Sequence, residues 1–109
     1  MTFEEYQYKA RQTAIYPNVG NNYIYPSFGL FSEAGEVAGK FKKIMRDKNG
    51  VIDSEDKLKL CYELGDILWY ISNIASELDT DLDDIAEINI AKLFSRKDRG
   101  KLQGSGDDR

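Results

Sequence analysis

Four acidic residues fall into two matched pairs. Glu33 and Glu36 stand three positions apart, and so do Glu63 and Asp66. On a helix, residues three apart sit on one side, one turn along. If two such helices pack antiparallel, the four carboxylates converge at one end of their seam. Close carboxylates repel one another strongly, so a convergence of this kind implies cations. The chain contains no histidine. That removes Ser-His-Asp and Cys-His catalysis, most zinc sites and the Glu-x-x-His pairs of di-iron bundles. An all-oxygen donor set suits magnesium, manganese or calcium, and magnesium is commonly held by a few carboxylates together with phosphate oxygens. The pattern therefore points to a metal-phosphate site. Either pair alone reads more simply as solvated helix surface, with Glu36 partnered by Lys40 one turn on. The repetition on two helices moves the balance towards chemistry.

The elements that must position these residues are helical. Thr2-Phe3-Glu4-Glu5 reads as a capping box, with Thr2 as cap. Phe3, Tyr6, Ala10, Thr13 and Ala14 follow at helical spacing, and the helix should stop near Tyr16, before Pro17. Residues 17–26 hold two prolines, three asparagines and a glycine, and read as a loop. A second helix is expected from about Ser27 to Arg46, with Leu30, Ala34, Val37, Phe41 and Ile44 as its apolar stripe. Asn49-Gly50 marks a turn. A third helix, capped by Asp53 or Ser54, should run to about Leu78. Its face of Leu60, Leu64, Ile67, Ile71, Ile74 and Leu78 makes it the most buried-looking of the set. A fourth, capped by Thr80 or Asp81, should reach about Lys97, with acidic residues at its start and cations at its end to match the helix dipole. No strand is signalled. The expectation is an all-α bundle of four to five helices, as one domain over residues 1–98, followed by a flexible glycine-rich tail over 99–109.

Further candidates lie on the third and fourth helices. Asn89 falls within the apolar arc of Leu82, Ala86 and Leu93, where a buried amide needs partners. Lys92 and Arg96 project to one side of it, so the three could offer an amide and two cations to a triphosphate. Arginine suits bidentate phosphate contacts, and lysine acts as a point charge. Ordinary cations at a helix C-terminus are the even alternative. Tyr62 and Trp69 fall on the far side of Glu63 and Asp66 from the core stripe. They are placed to stack on a base or to pack a subunit interface.

Composition narrows the partners. The net charge of −4 lacks the basic stripe that a nucleic-acid backbone requires. It does not oppose single nucleotides, because bound metal ions reverse the local sign. No apolar run approaches the ~20 residues of a membrane span. The lone Cys61 and the absence of a signal-peptide pattern make a cytoplasmic location the expectation. Asp79-x-Asp81-x-Asp83 is not a calcium loop, since Asp84 stands where glycine is needed and Ile90 where glutamate is needed. A chain of 109 residues is only modestly self-sufficient in core, so association would help it.

Glu33-x-x-Glu36, a 26-residue interval and Glu63-x-x-Asp66 resemble the signature of the all-α nucleotide pyrophosphohydrolases. The words around them, Phe31-Ser-Glu-Ala-Gly-Glu36 and Glu63-Leu-Gly-Asp-Ile-Leu-Trp69, resemble the MazG-like branch. Asn89-Ile-Ala-Lys-Leu-Phe-Ser-Arg96 is similar to its third motif. Gly100-Lys-Leu-Gln-Gly-Ser-Gly-Asp107 is similar to a tail of small stand-alone members. The resemblance implies a magnesium-dependent hydrolase, with manganese as a substitute, that cleaves the α-β phosphoanhydride of a (d)NTP to monophosphate and pyrophosphate. It implies Glu33, Glu36, Glu63 and Asp66 as catalytic and metal-binding residues, with Glu36 or Glu33 as a candidate for orienting the water. It implies Asn89, Lys92 and Arg96 on the phosphates or sugar, and Lys40 and Trp69 join them as substrate-binding candidates. A homodimer or homotetramer is the implied assembly, and nucleotide-pool control or house-cleaning the implied role. The rival is a non-catalytic MazG-like helical interaction or regulatory module whose carboxylates face solvent.

Overall fold

The computed structural model describes residues 1–109 and contains four α-helices and no strand. These are α1 (Phe3–Gln12), α2 (Ile24–Lys48), α3 (Ser54–Glu77) and α4 (Leu82–Asp98). No helix is long and apolar enough to cross a membrane.

Each boundary has a local cause. Thr2 caps α1, its Oγ1 accepting from the Glu5 N–H at 3.1 Å. The helix stops at Gln12, earlier than the expected Tyr16, because Thr13 turns its hydroxyl back onto the Ala10 carbonyl at 2.7 Å. That contact satisfies a carbonyl of the last turn from the side chain. α2 begins at Ile24, ahead of the expected Ser27. Asn22 Oδ1 accepts the Tyr25 N–H at 3.0 Å and does a cap's work. Pro26 then falls in the first turn, where its missing N–H costs nothing. At the other end Asn49 and Gly50 both take positive φ, and the Gly50 N–H reaches back to the Ile44 carbonyl at 3.1 Å. This left-handed exit ends α2.

Asp53 opens α3 with a reciprocal capping box to Asp56, and Lys48 Nζ contacts both carboxylates. The start of α4 is held differently from expectation. Neither Thr80 nor Asp81 caps it through a side chain. Instead Gln7, from α1, accepts the Leu82 N–H at 2.8 Å and donates to the Thr80 carbonyl at 3.0 Å.

α2 and α3 form an antiparallel hairpin. Lys48 meets Asp53 and Asp56, Lys40 meets Glu63, Glu33 meets Glu63 and Asp66, and Gly29 meets Tyr70. The numbers fall on one strand of the hairpin as they rise on the other. α1 lies against α3, and α4 against α1.

The buried apolar set is small: Ala10, Tyr16, Ile44, Leu60, Ala75 and Leu82. α3 supplies more buried residues than any other helix, but two of its four, Ser72 and Asn73, are polar. Large parts of the expected stripes stay uncovered, with Leu64 53% and Leu78 60% exposed. The radius of gyration is 16.9 Å, against about 13 Å for a compact domain of this length. The single chain is open, and its apolar faces lack cover.

Candidate active site

The hairpin sets three carboxylates face to face. Glu33 from α2 and Glu63 and Asp66 from α3 each present an oxygen, all within 4.8 Å of one another. Glu33 and Glu63 are half-buried, and Asp66 is exposed. Burial, and then the facing Glu63, Asp66 and Glu36 carboxylates, push the Glu33 carboxyl above its ordinary range. Without a metal, Glu33 therefore takes up a proton more readily than an isolated carboxylate does. The donor set is entirely oxygen and suits a hard divalent cation. Glu36 lies one turn further along α2, exposed and outside this triad, yet close enough for its charge to reach Glu33.

Lys40 is not the partner of Glu36. Its Nζ stands 3.4 Å from Glu63 Oε1, across the hairpin. It is a cation already at the edge of the acidic cluster.

A hollow of about 350 Å³ opens beside the triad, lined by Thr13, Glu33, Asp66, Trp69 and Tyr70. Trp69, offered by the sequence either for stacking on a base or for a subunit interface, lines this hollow beside Asp66. Its indole N–H donates to Thr13 Oγ1 at 2.7 Å. Its ring meets Tyr70 edge-on at 5.0 Å and Tyr16 at 6.4 Å, and Tyr16 in turn stacks on Tyr25 at 5.2 Å. Tyr70 lies against the backbone of α2 at Gly29, where an added Cβ would come within 2.1 Å of the tyrosine ring. Only glycine permits this approach. Burial, then Tyr25, Glu33 and Asp66, raise the Tyr70 phenol; burial, then Asp66, raise that of Tyr6. Both phenols stay protonated beside the carboxylates and remain available as donors.

A second polar group fixes the loop behind this hollow. Glu77, with its side chain 1% exposed, accepts from Arg11 at 2.9 Å, from the Asn22 N–H at 2.9 Å and from the Gly20 N–H through both oxygens. Burial alone would raise its carboxyl, but the Asn22 N–H, Arg11 and Gly20 hold it below its ordinary value. Arg11 also donates to Tyr16 at 2.7 Å and to the fully buried Asn73 at 3.1 Å, whose amide donates to the Trp69 carbonyl at 3.0 Å. The loop and the tryptophan are thereby tied to one another.

Sequence reading did not single out Thr13 as a partner of Trp69, nor Tyr70, Gly29, Tyr6 or the Arg11–Asn73–Glu77 group. A signal existed for one of them: Gly29 interrupts an aromatic run inside a helix, which asks for a close neighbour.

The α4 candidates lie apart from the carboxylates. Asn89 is exposed rather than buried in an apolar arc, because α4 packs against α1 near its start, at Leu82, and leaves the part of the arc around Asn89 and Leu93 uncovered. Lys92 and Arg96 find their polar partner in the C-terminal segment, at Asp107. One chain thus brings Glu33, Glu63 and Asp66 together, sets Glu36, Lys40 and Trp69 around them, and holds Asn89, Lys92 and Arg96 on a separate helix.

Comparison with known proteins accords with this geometry. Residues 28–100 match the MazG nucleotide pyrophosphohydrolase domain. The chain is also 48% identical, over 114 aligned positions covering the whole of both proteins, to the Gene 37 protein of Mycobacterium phage L5. No solved structure matches it. The family match spans both acidic pairs, Gly29, Tyr70 and the cations of α4, and the chain belongs to the MazG nucleotide pyrophosphohydrolase domain family.

Proposed function

We propose that this protein is a magnesium-dependent nucleoside triphosphate pyrophosphohydrolase, releasing monophosphate and pyrophosphate from a (d)NTP. The observation that carries this reading is the convergence of Glu33, Glu63 and Asp66 oxygens within 4.8 Å on the α2–α3 hairpin. These three residues would hold the metal, with manganese able to substitute. When bound, magnesium supplies positive charge and Lewis acidity at the triphosphate.

The chain's own groups do the rest. Glu36 stands outside the triad, one turn from Glu33, and is the residue that accepts the proton of the attacking water. The water oxygen bonds to the α-phosphorus, the bond from that phosphorus to the bridging oxygen breaks, and pyrophosphate leaves with the electron pair. Lys40, whose Nζ stands 3.4 Å from Glu63 at the edge of the cluster, would bind the phosphates. Trp69 and Tyr70 wall the hollow that receives the nucleoside, and the Thr13 contact fixes the indole plane.

Asn89, Lys92 and Arg96 serve the phosphates or sugar of a site formed with a second copy of the chain. Two features support that assembly. α4 packs away from its own carboxylates, and apolar side chains such as Phe31 and Ile88 (84% and 68% exposed) need cover. A homodimer or homotetramer supplies it.

The test is product analysis. The purified chain is incubated with each dNTP and NTP plus magnesium, and products are resolved by ion-exchange chromatography. Monophosphate and pyrophosphate in equal amounts, lost on Glu36→Ala, are the expected result. Orthophosphate as product, or undiminished turnover by Glu36→Ala, would refute this mechanism. No turnover of any nucleotide would favour the non-catalytic interaction module.

A further inference from the structure

Arg96 is in an unusual state for a surface helix. Its side chain is 6% exposed, and its Nε has no hydrogen-bond partner. Nη2 donates to the backbone carbonyl of Asp107 at 2.7 Å, while the Asp107 carboxylate stays 3.8 Å away. The same carboxylate oxygen lies 3.9 Å from Lys92 Nζ, one turn up the helix. A buried guanidinium with an orphaned N–H and only a distant counter-charge is under-satisfied. It is poised for a better anion.

The C-terminal segment is built to bring Asp107 there. Gly100 takes a φ of +67°, and the Lys101 N–H bonds back to the Arg96 carbonyl at 2.6 Å, so the chain reverses at the end of α4. Gly104 and Gly106 also take positive φ. Arg109 then closes the loop on itself, donating to the carbonyls of Lys101, Leu102 and Gly106 at 2.8–3.0 Å. The result is a self-contained turn that covers Arg96 and presents one carboxylate to the two cations. That carboxylate is itself 92% exposed. Ion pairs at 3.8–3.9 Å whose carboxylate is open to solvent are weak and readily exchanged.

We propose that residues 100–109 form a displaceable cover in which Asp107 holds the place of a phosphate on Lys92 and Arg96, and which yields when a polyphosphate arrives. The proposal rests on the reading above that Lys92 and Arg96 serve phosphates. It adds that this chain competes with its own ligand. The Asp107 carboxylate and the Arg96 contact leave together, Arg96 Nε and Nη2 take phosphate oxygens, and no covalent bond changes.

The experiment compares wild-type protein with Asp107→Asn, using inorganic pyrophosphate with magnesium as probe and calorimetry as readout. Asp107→Asn should bind pyrophosphate about three-fold more tightly, the scale expected for losing a weak exposed competitor. In a Lys92→Gln background the gain should shrink, because the two residues act through one contact. In the wild type, pyrophosphate should also speed tryptic cleavage after Lys101, as the cover opens. Unchanged or weakened binding by Asp107→Asn, no binding by either form, or protection of Lys101 by pyrophosphate would overturn the proposal. A tighter Asp107→Asn without any nucleotide turnover would uphold the cover and sink the hydrolase. Turnover without that gain would do the reverse.

Discussion

Two acidic regions of this molecule face opposite conditions. Glu77 is one carboxylate surrounded by donors: a guanidinium and two backbone N–H groups. Glu33, Glu63 and Asp66 are three carboxylates with a single lysine at their edge, 3.4 Å from one oxygen. Both regions are partly buried, and both draw on α3, with Glu33 reaching in from α2. Glu77 is held below its ordinary pKa and Glu33 above it. A carboxylate whose lone pairs are met by its own chain is structural. A group of carboxylates left short of partners is a place for something the chain does not contain.

The contrast can be broken by the same substitution at each place. Asp66→Ala should cut turnover at least ~1,000-fold, about 4 kcal/mol of transition-state stabilisation. It should leave the metal-free melting temperature unchanged or raised, because a repelling charge has gone. A fall in the metal-free melting temperature, read by calorimetry, would mean that Asp66 is a structural acid like Glu77.

Glu77→Ala should do the opposite to stability. It strands the half-buried Arg11, which is tied to the buried Tyr16 and Asn73, and the loop amides, and should cost about 3 kcal/mol in denaturant titration. A loss below ~1 kcal/mol would show that solvent reaches those donors.

The smallest effect is a pH profile of the metal-free protein. For Glu33 the folded pKa is raised above the unfolded value, so the folded state binds its proton more tightly. Stability should rise as pH falls through that raised value. For Glu77 the folded pKa is lowered, so its contribution, present above the unfolded value, is lost as pH falls through the folded one. Asp53, held at about 2 by Lys48 and the Asp56 N–H, adds to that acid loss. The melting temperature should therefore pass through a maximum in mild acid. Glu33→Gln should remove the rising limb alone, and a profile identical to wild type would mean that the triad shares no proton.

What was legible in the sequence was local. The Thr2 cap and the Asp53 cap were readable because each depends on residues within one turn. The four helices followed from apolar spacing. The acidic pairs were readable as a repeated interval, and the hairpin brings three of their four members together. What escaped depends on contacts between distant parts of the chain. Gln7 at the start of α4, Glu77 under the α1–α2 loop and Thr13 on Trp69 are joined across more than fifty positions. The place of Trp69 beside Asp66 was legible on a wheel of α3, but its partner was not, because Thr13 comes from the end of α1. Asn89 was expected to be buried because its arc is apolar, yet an apolar arc is buried only if something packs on it.

The hairpin also has a consequence for how the protein folds. Every residue of the acidic triad lies on α2 or α3, which are joined by a short turn locked through Lys48, Asp53 and Asp56. Closing so short a loop costs little chain entropy, and contacts close in sequence form early. The proposed metal-ligand set is thus complete as soon as one chain reversal has formed, before α1 or α4 has docked. A cation bound at that stage would stabilise the hairpin as a nucleus, and divalent metal would speed folding as well as strengthen the folded state.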